Sequence, residues 1–187
     1  MFLDELEAAL LSMHQTQHEP LKQTLKFGTQ TPGRLFYQPI KPIIDLKKSF
    51  EEVTLDYISS LPDDTLHPLL SRKTNHVNFS GSWSVKLKAN GFHVNHVHPE
   101  GWLSSSFYVK VPDFSRYVQS SEHAGAIKFG ESSMNLKERE KVSKIVTPNA
   151  GLVVLFPSYV WHGTIPFNGP DDIFRLTAPC DITPRED

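Results

Sequence analysis

Trp83-Ser84-Val85-Lys86-Leu87-Lys88-Ala89-Asn90-Gly91-Phe92-His93-Val94-Asn95-His96-Val97-His98 is the stretch on which the fold turns. Trp83, Val85 and Leu87 alternate with polar residues, the period of a half-buried β-strand. Lys88-Ala89-Asn90-Gly91 has the composition of a hairpin turn, and Phe92 to His98 then returns as the partner strand. The same stretch ends in chemistry. His96 and His98 stand at i and i+2, and on an extended backbone such residues share a face, so two imidazoles project side by side. They make two corners of a metal site, and imidazole suits zinc, copper, iron or nickel. With nine histidines in 187 residues, the alternative is a pair of ordinary strand histidines.

Downstream the same rhythm continues. Leu103 to Val111, Gly125 to Phe129, Lys144 to Val146, Gly151 to Phe156, Trp161 to Ile165 and Phe174 to Pro179 read as further strands, separated by Gly, Pro, Asn and Asp. No helix of useful length interrupts them, which points to a sandwich or barrel and favours a jelly roll over a βαβ sheet. Upstream, Phe2, Leu3, Leu6, Leu10 and Met13 recur at helical spacing over Leu3 to Met13. Pro42 opens a longer helix whose buried face is Ile43, Leu46, Phe50, Val53, Tyr57 and Leu61. Between them, Gly28 to Gly33 reads as a turn-containing loop, and His14 and His18 are expected to be solvated. Residues 1–187 thus read as one mainly β domain, with a helical N-terminal part (1–75) packed on one sheet of a jelly-roll core (76–182).

Composition narrows the function classes. The chain is 39% hydrophobic and 21% charged with a formal net charge of −2, which offers no electrostatic footprint for nucleic acid or an anionic membrane. Its single cysteine, Cys180, forbids an internal disulfide and a multi-cysteine metal site, fits a cytoplasmic setting, and is expected to be a small buried apolar residue. Asp4, Glu5 and Glu7 give the start the wrong charge for a signal peptide, and no run is long enough to span a bilayer.

His162 is the best candidate for a third metal corner, because an apolar run from Leu155 delivers it to the end of a strand. Glu100 competes through a His98-Pro99-Glu100 pairing, but Pro99 and Gly101 should end the extended backbone before Glu100 shares the face. Arg175, on the next strand, can anchor a carboxylate bidentately, and Thr177 at i+2 shares its side of that strand. His93 lies at an odd offset from His96 and should face away. Trp83, Trp102, Phe107, Tyr108 and Trp161 are expected chiefly in core or rim packing, Gly151 in a turn, and His67, His76 and His123 in loops.

In order and spacing these residues resemble a known family. Phe27-Gly28-Thr29-Gln30-Thr31, Gly81-Ser82-Trp83-Ser84, His96-Val97-His98-Pro99, Leu103 to Val109, Pro148 to Ser158, His162 and Arg175 are similar to the Fe(II)/2-oxoglutarate oxygenases. The closest likeness is to a bacterial and phage group also found fused to tetratricopeptide repeats. The resemblance implies a double-stranded β-helix, the cupin-like jelly roll. It implies His96, His98 and His162 as ligands of Fe(II), and Arg175 as partner of the 2-oxoglutarate C5 carboxylate, with Thr177 as the accompanying hydroxyl. His98 stands where the superfamily usually has Asp or Glu, a histidine the closest group shares. Ser105 replaces a usual Gly, and Ser84 a usual Asn. The activity implied is oxidation of an unknown substrate, a protein side chain or a small molecule, with decarboxylation of 2-oxoglutarate to succinate. The competing readings are a three-histidine cupin-like metalloenzyme that does not use 2-oxoglutarate and a non-catalytic jelly-roll binding module.

Overall fold

The computed structural model describes residues 1–15, 24–32, 34–117 and 121–185. Two helices, α1 (Phe2–Met13) and α2 (Lys41–Ser60), precede most of the β structure. Nine strands follow the order β1 (Leu25–Gln30), β2 (Val77–Ser82), β3 (Val85–His93), β4 (Leu103–Lys110), β5 (Ile127–Phe129), β6 (Lys144–Val146), β7 (Val153–Pro157), β8 (His162–Thr164) and β9 (Phe174–Pro184). They form a large antiparallel sheet, β1-β3-β9-β4-β7 with β2 also on β9, and a small one, β6-β5-β8. The helices lie against the large sheet, giving the jelly roll with N-terminal helices that the pattern predicts. Among the described residues no helix is long and apolar enough to cross a membrane.

β9 is the spine of the large sheet. Its first half pairs with β3, its second half with β2, and β4 runs along its other edge. Alternation gives it two different faces. Leu176, Ala178, Cys180 and Ile182 are fully buried in the core that α1 and α2 complete with Leu6, Leu10, Ile43, Leu46, Phe50 and Ile58. Arg175, Thr177 and Pro179 turn the other way, into a cavity between the two sheets. Cys180 is the small buried residue expected, with burial pushing its thiol pKa up and leaving it inert.

Three readings of the sequence are corrected. Lys88-Ala89-Asn90-Gly91 does not reverse the chain: Val85 to Lys88 and Phe92 to His93 belong to one strand, and both halves pair with β1. Asn90 does take a positive φ of 64°, as its turn composition suggests, but it serves an outward bulge opposite Phe27, held by its N–H donating to Phe167 O at 2.7 Å. The His96–His98 pair therefore lies beyond the strand end, not on a hairpin arm. Second, the supposed loop from Gly28 contains the end of β1, which forms the edge of the large sheet; Gly33 lies outside the described residues. Third, His14 is not solvated: its ring bridges Thr29 Oγ1 (2.8 Å) and Ser84 Oγ (3.0 Å), tying the end of α1 to β1. His18 lies outside the described residues.

Candidate metal and anion site

Beyond β3 the chain stays extended just long enough to form one antiparallel bridge, His96 to His162. His96 N–H donates to His162 O (2.8 Å) and His162 N–H to His96 O (3.0 Å). That bridge adds the His96 segment to the edge of β8, and Gly163 permits it, since a Cβ there would meet Asn95 Oδ1 at 2.3 Å. His98 is fixed next, its N–H donating to Ser158 O at 2.9 Å. The donor nitrogens of His96, His98 and His162 thereby lie within 4.8 Å of one another. Glu100 sits exposed in the following turn and is not part of this cluster.

Each ring has its outer nitrogen committed. His96 Nδ1–H donates to Val94 O (2.8 Å), His162 Nδ1–H to Val160 O (3.0 Å), and His98 Nδ1–H to the Asp181 carboxylate (2.8 Å). A carbonyl can only accept, so the tautomer is dictated and Nε2 is left as a lone-pair donor. His96 Nε2 and His98 Nε2 stand 3.1 Å apart; as neutral imidazoles they turn lone pairs at each other, an arrangement that a shared cation satisfies. Burial, reinforced by neighbouring imidazoles, holds His162 at a pKa of about 3 and depresses that of His96. Neutral rings are the form a metal requires. The donor set therefore fits a divalent transition metal, with the rest of the coordination sphere left to other ligands.

Arg175 is only 2% exposed, and among the described residues no carboxylate pairs with it. Its guanidinium donates to Gly125 O and lies 5.5 Å from the centre of the Tyr108 ring, while its Nε–H has no partner. Burial lowers its pKa from the ordinary value, opposed only by its interaction with Tyr108. A buried, unpaired cation is costly, so this arrangement calls for an anionic ligand. Arg175 and Thr177 line the same cavity as the three histidines, with Ser106, Ile127, Phe156 and Thr164 as its walls.

Two residues join the site against expectation. His93 borders the same cavity, its ring 5.9 Å from that of His96, because the strand ends there and the odd-offset rule no longer applies. Trp83 stacks on His98 at 5.9 Å with planes 9° apart, so it is a wall of the site. Trp102 and Tyr108 are core residues as expected, and Tyr108 pairs with Thr177 across β4 and β9. Outside the histidines opens a cleft of about 420 Å³, bordered by Gln30, Trp83, Pro99, Glu100 and Asp181.

Residues 81–181 match the sequence model of a family described as "Putative 2OG-Fe(II) oxygenase". No curated protein matches the chain. Among solved structures, a collagen prolyl hydroxylase from Paramecium bursaria Chlorella virus-1 is similar at TM-score 0.57 and 14% identity, over 97% of this chain and 88% of its own. A Pseudomonas putida prolyl-4-hydroxylase is similar at TM-score 0.58 and 13% identity, over 99% and 87%. HygX from Streptomyces hygroscopicus, solved with nickel and 2-oxoglutarate bound, is similar at TM-score 0.56 and 8% identity, over 97% and 79%. At these identities the likeness is one of fold.

Proposed function

The chain belongs to the 2OG-Fe(II) oxygenase family, and from that premise we propose that His96, His98 and His162 hold its Fe(II) while Arg175 and Thr177 receive the far carboxylate of 2-oxoglutarate. The observation that carries this assignment is the buried, unpaired Arg175 guanidinium in one cavity with three imidazoles whose free nitrogens converge. The pairing argues against a three-histidine site that does without an acidic cosubstrate, and equally against a purely structural role for the rings. When bound, Fe(II) and 2-oxoglutarate supply O₂-dependent oxidation of a substrate coupled to decarboxylation of the cosubstrate to succinate and CO₂.

The chain's own residues do the positioning. The Nδ1–H bonds of His96 and His162 fix ring orientation before any ligand arrives, so little reorganisation accompanies binding. Arg175 offers a charge-assisted anchor at the far side of the cavity, where Ile127 and Phe156 keep water out. Trp83 closes the other side against His98. The substrate, a protein side chain or a small molecule, would enter by the cleft beside Gln30 and Glu100. Neither nucleic acid nor a membrane surface is proposed as partner, given the net charge of −2, and the single buried cysteine supports a cytoplasmic setting. Anaerobic addition of Fe(II) and 2-oxoglutarate should raise the metal-to-ligand charge-transfer absorption of the chelate, and His162→Ala should lose it. Folded wild-type protein that develops no such band would overturn the assignment.

A further inference from the structure

We infer that Asp181 is a positioning residue for the metal, lending the site through His98 the negative charge that three imidazoles do not carry. The inference rests on the three-histidine assignment above. β9 places Asp181 on the same side as Arg175, Thr177 and Pro179, two residues beyond the last of them, so one strand serves both ends of the site. Its carboxylate accepts the His98 Nδ1–H at 2.8 Å and is held by Ser104 Oγ–H at 2.7 Å. Ser104 Oγ in turn lies 2.8 Å from Ser158 Oγ, and Ser158 O holds the His98 backbone N–H. His98 is thus clamped from ring and backbone by one connected set of groups.

Charge accounting gives the clamp a purpose. The Asp181 and His98 side chains are 17% and 18% exposed, and among the described residues no Lys or Arg pairs with this carboxylate. A partly buried divalent cation on three neutral rings needs a nearby anion, and a buried carboxylate needs a cation. One imidazole separates the two, and a carboxylate on the outer nitrogen makes the inner one a better donor. His96 and His162 have only backbone carbonyls in that position. Asp181 therefore places the negative charge of the set directly behind His98.

Mn(II) titration of the full chain tests this without turnover, reading free Mn(II) by its electron paramagnetic resonance signal. Asp181→Asn keeps shape and an acceptor but removes charge, and should weaken Mn(II) about 10–100-fold. His98→Asp puts a carboxylate in the first position itself, so adding Asp181→Asn to that variant should cost nothing. Equal losses in both backgrounds would mark Asp181 as merely structural and overturn the inference, as would undiminished affinity in Asp181→Asn. Should that variant fail to fold, Ser104→Ala releases the carboxylate from its anchor: weaker Mn(II) binding supports the inference, and unaltered binding overturns it. His162→Ala separates the two levels, because wild-type affinity there would remove the three-histidine site itself.

Discussion

The proposed choice of His96 over Glu100 as a site residue rests on where the backbone stops being extended. The bridge between His96 and His162 holds the chain straight through His96, and Ser158 O holds it again at His98, after which Pro99 and Glu100 turn away. His96→Ala should therefore lose tight metal binding while Glu100→Ala keeps it, and metal titrations in the reverse order would mean a two-histidine, one-carboxylate set. Arg175→Ala should spare the metal and weaken 2-oxoglutarate by about 2–5 kcal/mol, the cost of losing a desolvated charge pair; Arg175→Lys should recover part of it, and isothermal titration against the Mn(II) form measures both. These residues stood out in the sequence as candidates because their types are rare in apolar strands, although only His96 and His98 are close neighbours along the chain. His93, Trp83 and Asp181 did not stand out. Their roles depend on a strand ending at residue 93 and on contacts across as many as 83 positions, such as His98 to Asp181, which no local period records.

Elements divide the work between stability and chemistry. The buried face of α2 places Phe50 among Phe36, Phe79 and Phe107, with ring centres 5.7, 6.5 and 6.0 Å away, on the side of the large sheet remote from the cavity. Phe50→Ala should cost about 3–5 kcal/mol, a fall in melting temperature of roughly 6–20 °C for a chain of this size, while Mn(II) affinity at a temperature where the variant is folded stays unchanged. Thermal denaturation paired with a metal titration checks both halves. α1, α2 and the late strands could be read from apolar periodicity and the turn residues between strands, although Val53, expected on the buried face of α2, is 43% exposed while Thr54 and Ile58 are buried; Gly151, at a φ of 84°, makes the turn its position before β7 suggested. β1 was hidden because Gly28, Thr29 and Gln30 carry no apolar alternation; a Cβ at Gly28 would meet Lys86 O at 2.6 Å, so the residue that looked like a loop signal is there for close strand contact. Likewise Asn90-Gly91 supplies the backbone freedom that both a hairpin and a bulge require, and only pairing with β1 distinguishes them.

Across the molecule, the protein keeps several imidazoles uncharged inside the fold. His14 is held at a pKa of about 4 by burial and then by the charge of Lys86, His162 at about 3, and His93 and His96 are depressed as well, chiefly by burial. In the unfolded chain each would titrate near 6.5. The unfolded state therefore binds more protons below that pH, and the stability contributed by the neutral rings, complete above about 6.5, is lost as pH falls toward the folded values. The metal-free protein should show a falling melting temperature from pH 6.5 down to about 4. His14→Gln, which keeps polar reach toward Thr29 and Ser84 but cannot be protonated, should flatten that slope without changing Mn(II) affinity, since His14 lies outside the donor cluster. Metal binding adds a second dependence of the same sign, because protons and the cation compete for the same nitrogens; saturating Mn(II) should raise the melting temperature more at pH 7 than at pH 5.5. A melting temperature that is flat or rises between pH 6.5 and 4 in the metal-free protein would show that these rings are not kept neutral by the fold.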